Sequence, residues 1–228
     1  MEIDTRGVQC AGVSFTDAFK EKFLKYIDVL QENSNKSMIY VDLQELISSK
    51  TGITPSAIRV DMPFLYNSGL INDYRQSVIG EIELGNLVTK LGKSYYTLIL
   101  MQNLESDETV SSKLKDLEEL IIIQTIMNRK ETDNEEYYVD LIKFIYNNKS
   151  IDEKEFYIMI NNIDDPETLK RLTTSYREGS IDISLVNSNN AYQYTKKILL
   201  QSNLLVENEK RLYINDKWKD LIKYIVEG

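Results

Sequence analysis

Apolar positions recur at helical spacing through most of this chain. Residues 17–32 place Phe19, Phe23, Tyr26, Ile27 and Leu30 on one face, the pattern of an amphipathic helix. Residues 41–50 come next, with Leu43, Leu46 and Ile47. From Pro55 the spacing of Ile58, Met62 and Leu65 predicts another helix, with Ser56, Arg59 and Tyr66 toward the opposite side. Thr54 is a cap candidate, Pro55 suits the first helical position, and Gly69 can take the left-handed conformation that ends a helix. Pro63 removes a backbone donor and is expected to kink this helix or restart it at Asp61. Residues 70–74 and 86–89 then read as two short strands around a turn-rich tip at 75–85, and 90–100 as a trailing helix.

Further along, residues 111–128 form a long helical pattern containing the run Leu120-Ile121-Ile122-Ile123, and 129–136 a polar loop. Residues 137–146 are helical. Ser150-Ile151-Asp152-Glu153 reads as a capping box opening a helix to about Asn161. Asp165-Pro166 caps another through 168–176, ending at Gly179, and 180–189 looks like an irregular connector.

The segment Leu65-x-x-Ser68-Gly69-Leu70-Ile71 returns as Leu199-x-x-Ser202-Asn203-Leu204-Leu205, with Asn203 replacing glycine at the left-handed position. The same offset maps Ser56 onto Asn190 and Arg59 onto Gln193. A helix over 190–201 is expected to bury Ala191, Tyr194, Ile198 and Leu199 and to expose Gln193, Lys196, Lys197 and Gln201. Strands at 204–206 and 211–214 flank a tip at 207–210, and 217–226 closes the chain as a helix around Trp218, Leu221, Ile222 and Ile225.

Two short helices joined by the Thr51-Gly52 turn have the layout of a helix-turn-helix. Ser56-Ala57-Ile58-Arg59-Val60-Asp61-Met62, then Leu65 and Gly69-Leu70-Ile71, resembles the recognition helix of bacterial winged-helix repressors, the DeoR-type sugar regulators and the heat-shock repressor family. The resemblance covers about twenty residues and implies a winged helix in which Ser56 and Arg59 face DNA. The expected fold class is mainly α with small β-wings (α+β): tandem winged-helix units with a helical insertion. An N-terminal domain spans 1–105 and a C-terminal one 106–228. The tandem arrangement is similar to the recognition half of FokI-like type IIS restriction endonucleases.

The implied function is sequence-specific binding of double-stranded DNA, as a bacterial or phage regulator or the recognition module of a restriction-type system. Thr54, Ser56, Arg59 and Tyr66 would form one reader, with Arg75 and Gln76 at its wing. Asn190, Gln193, Lys196 and Lys197 would form a second, with Lys210 and Arg211 at its wing. Asn and Gln side chains suit adenine edges, and lysine neutralises phosphate.

Charge opposes this reading. Net charge is −9, with 10 Lys/Arg against 12 Asp/Glu in residues 1–101 and 17 against 24 beyond. DNA binders usually present a basic field. A rival expectation is therefore an acidic adaptor that grips a protein partner, resembling the tandem winged-helix subunits of chromosome-condensation complexes. A homodimer is open as well.

Candidate chemistry is sparse. The chain has no His and one Cys, Cys10, which argues against His-based catalysis, zinc sites and an internal disulfide. Its nine glycines form no phosphate loop. Asp152-Glu153-Lys154 lies at a helix start, and Glu118-Glu119 and Glu135-Glu136 read as solvated faces. No enzyme activity, cofactor or metal is expected. No apolar run approaches the roughly 18–20 residues of a membrane span, and the acidic N-terminus lacks a signal-peptide core, so a cytoplasmic location is expected.

Overall fold

The computed structural model describes residues 1–5, 14–74, 81–104, 108–128, 137–187 and 190–227. It is mainly helical, with small two-stranded sheets. Two compact units emerge: Gly12–Thr125, and Ile126–Gly228 together with Met1–Ala11. The first unit thus reaches past the expected division at 105/106, because the next helix shares its core.

In the first unit, Thr16 accepts from the Phe19 amide and opens α1 (Asp17–Glu32), which buries the five apolar residues its spacing marks. Strand β2 (Ser37–Met38) leads into α2 (Tyr40–Thr51), which ends where Gly52 turns left-handed at φ 74°. The Thr54 hydroxyl then accepts from the Ala57 amide and starts α3 (Pro55–Asn67). Pro63 does not break α3, contrary to the expected kink. The proline is exposed, so its ring costs the helix one backbone bond without disturbing the core. Helices α5 (Lys90–Leu104) and α6 (Glu108–Asn128) complete the unit.

An aromatic cluster holds these helices together. Phe15 packs edge-on against Phe64 at 5.3 Å and Tyr95 at 5.2 Å between ring centroids, and Phe19 meets Phe64 at 5.3 Å. Glu118 of α6 enters the same region, accepting from the Tyr95 hydroxyl at 2.9 Å and pairing with Lys20 at 3.0 Å. Glu118 and Glu119 are buried, which corrects the expectation of a solvated face. The tertiary partners that neutralise Glu118 come from α1 and α5, far away in sequence. Glu135 and Glu136 lie outside the described residues.

The two expected strands after α3 shrink to an isolated bridge between Ile71 and Val88. The longer pairing is made instead by β3 (Ile82–Glu83) with β2, antiparallel. Residues Leu84–Leu87 form a helical turn, α4, because Leu84 and Leu87 both point into the core. Gly85 lets that turn lie against the Ser34 carbonyl, which a Cβ would meet at 2.6 Å. Gly92 does the same for α5, where a Cβ would fall 2.1 Å from the Leu70 carbonyl oxygen.

In the second unit, β1 (Glu2–Asp4) pairs in parallel with β4 (Ser184–Val186), so the expected connector at 180–189 contains a strand. Helix α7 (Tyr137–Asn148) packs on α8 (Glu153–Asn161). The capping box lies two residues later than expected: Asp152 caps the Glu155 amide, and the Glu155 carboxylate returns to the Asp152 amide. Asp165 caps α9 (Pro166–Arg177). The last helix pair is α10 (Ala191–Gln201) and α11 (Lys219–Glu227), separated by a hairpin of β5 (Leu205–Asn208) and β6 (Arg211–Ile214). Ile151 bridges antiparallel to Leu212 beside this hairpin.

The repeated segment adopts the same helix end twice. Ser68 and Ser202 are fully buried and donate to the Leu65 and Leu199 carbonyls at 3.0 and 2.8 Å. Gly69 and Asn203 come next, at φ 70° and 58°. The expected core face of α10 needs one correction: Tyr192 is buried, and Tyr194 is 44% exposed. Ala191, Thr195, Ile198 and Leu199 set the buried stripe, and Tyr194 lies off it.

Burial outweighs the Lys20 and Tyr95 contacts and raises the Glu118 carboxyl above its ordinary 4.5. A carboxyl harder to ionise in the fold than in the unfolded chain loses stability as pH rises from about the unfolded value through the folded one. Glu118→Gln, which keeps an acceptor for Tyr95, is expected to gain stability relative to the parent as pH increases across that window. Urea melts across a pH series measure it, and a constant difference at every pH rejects it. Gly92→Ala is expected to destabilise the first unit by at least about 2 kcal/mol through overpacking against backbone. An unchanged urea midpoint would refute this.

Candidate nucleic-acid interface

The outer surface of α3 begins at its cap. Thr54 is exposed, with its hydroxyl 3.0 Å from that of Ser56, and Ser56, Arg59, Val60 and Pro63 share the solvent side. Behind them, Ile58, Met62 and Leu65 are 0–1% exposed. Between the two faces sits Asp61, which is 1% exposed. Its Oδ2 pairs with Lys22 Nζ at 2.5 Å and accepts from the Tyr26 hydroxyl at 2.6 Å. This contact fixes the rotation of α3 against α1, and so decides which side of α3 meets solvent.

Tyr66 is half-buried and packs against Tyr74 at 6.2 Å, while Tyr74 meets Tyr40 at 4.9 Å. The three rings tie the start of α2 to the end of α3. Burial pushes the Tyr40 phenol above its ordinary value, and the nearby Arg59 charge opposes that shift. Arg75 and Gln76 lie outside the described residues.

In the second unit, Asn190 at the start of α10 is exposed and makes no side-chain cap bond. Gln193, Tyr194 and Lys197 are exposed on one side of the helix. Lys196 is tied to Glu207 of β5 at 2.6 Å. Lys210 is exposed in the two-residue hairpin turn, where Glu209 and Lys210 have φ of 49° and 64°.

Arg211 departs most from its expected place. Its Nε donates to the Ser150 hydroxyl at 3.0 Å, one terminal nitrogen pairs with Asp152 at 2.7 Å, and the other with Glu155. The fully buried Glu155 carboxylate also pairs with Arg177 Nε at 2.5 Å. The remaining Arg177 nitrogens donate to the Asn148 and Ser150 carbonyls, each at 2.8 Å. Tyr176, whose phenol burial pushes up to about 12, donates to Asp152 at 3.2 Å. This cluster clamps the hairpin to the start of α8 and the end of α9. Sequence reading missed Arg177 and the role of Glu155, although the Asp-x-x-Glu spacing at 152–155 carries the signal for a capping box.

The arrangement supplies hydrogen-bonding and cationic side chains on two helices. Among the described residues, no cluster of three His, Cys, Asp or Glu side chains could hold a metal ion. No family model matches this chain, and neither a curated protein nor a solved structure matches it.

Arg211→Ala is expected to cost about 2–4 kcal/mol of stability, because it leaves the buried Glu155 carboxylate with one of its two cationic partners. Denaturant unfolding reads this loss. A variant as stable as the parent would show that the clamp does not hold the hairpin.

Proposed function

We propose that the protein binds double-stranded DNA sequence-specifically through two winged-helix units, with α3 as the principal reading helix and α10 as a second. One observation carries the reading. In a chain with 36 Asp/Glu, α3 and α10 present no exposed carboxylate: α10 has none, and the single one in α3, Asp61, is buried on Lys22 and Tyr26. An acidic protein that clears negative charge from two helix surfaces has made them compatible with phosphate.

The order of elements supports the same reading. In each unit a short stretch before the second helix pairs with the strand returning after the reading helix: Ser37–Met38 with Ile82–Glu83, and Ile151 with Leu212. Helix α9 and β4 are then the insertion between the second and third helices of the second unit. Thr54 and Ser56 offer hydroxyls at a helix N-terminus, where backbone amides also favour phosphate. Arg59 supplies the fork that suits guanine, and Gln193 and Lys197 a base-reading amide and a phosphate contact. Tyr66, Lys196 and Arg211 are engaged in packing within their own units and have no part in this reading. The biological role is that of a regulator or of the recognition module of a restriction-type system.

A second reading, an adaptor gripping a protein partner, has its own observation. Ile39, Val41 and Val60 are 43%, 56% and 57% exposed on and around the α2–α3 pair.

Selection from random duplex DNA, with affinities then measured across a salt series, separates the two. Arg59→Ala is expected to weaken the selected site by about 1–3 kcal/mol, and Lys197→Ala to weaken all sequences alike and lower the salt slope by about 1. Absence of binding at low salt sets the DNA reading aside in favour of a protein partner.

A further inference from the structure

We infer that each reading helix selects a purine beside a pyrimidine carrying a C5-methyl group, with Val60 of α3 and Tyr194 of α10 packing on the methyls. This rests on the DNA reading above and names what the two helices recognise.

The alignment that sets Leu65 against Leu199 also sets Ile58 against Tyr192 and Asp61 against Thr195. All six of these residues are buried, at 0–4% exposure. The two helices therefore turn the same positions inward. The same alignment sets Val60 against Tyr194, and here both side chains face outward, 57% and 44% exposed. The residue before each is an exposed hydrogen-bonding one, Arg59 in α3 and Gln193 in α10.

One apolar side chain in water is ordinary, but here the same outward position is apolar in both helices. Valine does not strengthen α3 there, since β-branching lowers helix propensity and no burial compensates. Against a duplex the position gains a role. The C5-methyl of thymine, or of a methylated cytosine, is the apolar group that the major groove presents. A guanidinium suits guanine and a carboxamide suits adenine on the same groove floor. Successive helical residues diverge by about 100°, so Arg59 and Val60, like Gln193 and Tyr194, address neighbouring bases. Neither helix exposes a carboxylate that would hold the duplex away.

The test uses the full chain and the duplex won by selection from the random pool. Each thymine is replaced in turn by deoxyuridine, which removes the methyl and keeps the hydrogen-bonding groups of the edge. At one thymine for each helix, parent affinity is expected to fall about fourfold, the equivalent of roughly one buried methyl group. Val60→Ser is expected to abolish the difference at one of these positions, and Tyr194→Ser at the other. Serine resembles valine and tyrosine in helix propensity, so both variants are expected to fold, which circular dichroism melts check. The same positions are then compared as cytosine and 5-methylcytosine, each paired with guanine. A gain on methylation assigns the contact to the methyl whatever base carries it, and no gain restricts it to thymine. A selected site at which no deoxyuridine weakens binding, or a methyl preference that both variants retain, overturns the inference and leaves the DNA reading standing. A pool that yields no site at low salt overturns both.

Discussion

A carboxylate withdrawn from water needs positive charge or hydrogen-bond donors around it, and that constraint organises both units of this protein. Asp61 meets it through Lys22 and Tyr26 of α1. Glu155 meets it through Arg177, Arg211 and its own helix cap. Losing one partner leaves a buried charge uncompensated, which costs more than the pair contributes in water. Each carboxylate therefore demands one arrangement of the elements that supply its partners. For Asp61 the consequence is the rotation of α3. For Glu155 it is the seating of the β5–β6 hairpin against α8 and α9.

These fixed rotations give the exposed surfaces their meaning. With Asp61 turned inward, α3 shows solvent Thr54, Ser56, Arg59 and Val60 and no acid. With Tyr192 and Leu199 turned inward, α10 shows Gln193, Tyr194 and Lys197. The net charge of −9 is carried elsewhere. Overall charge sets solubility and long-range association, whereas the charge on a contact surface sets what can approach it. The proposed DNA reading rests on this separation of the two.

The helix ends show how one backbone device serves different surroundings. Ser68–Gly69 and Ser202–Asn203 close α3 and α10 through the same serine-to-carbonyl bond and left-handed residue. After α3 the described residues make the Ile71–Val88 bridge and the short strand β3, then a helical turn, because Leu84 and Leu87 are drawn into the core and Gly85 and Gly92 permit close backbone approach. After α10 it makes a hairpin of two four-residue strands. The local signal is shared, and the packing partners decide which element comes next.

The sequence by itself determined the helices with strong periodicity, their caps and the repeat, because these depend on neighbours within a few positions. Phe19 to Leu30 on α1, Thr54 and Pro55 at the start of α3, and the Leu-x-x-Ser echo are local properties of the chain. It also marked Ser56, Arg59, Gln193 and Lys197 as outward-facing. Only the tertiary structure decided that Glu118 is buried, that Lys196 and Arg211 are bound internally, that Tyr192 replaces Tyr194 in the core, and that β1 finds β4. Most of these turn on a partner distant in sequence: Lys20 and Tyr95 for Glu118, Asp152 and Glu155 for Arg211, Ser184–Val186 for the N-terminal strand. A charged residue reads alike in sequence whether it meets water or a buried counter-charge, and the fold alone brings that counter-charge within reach.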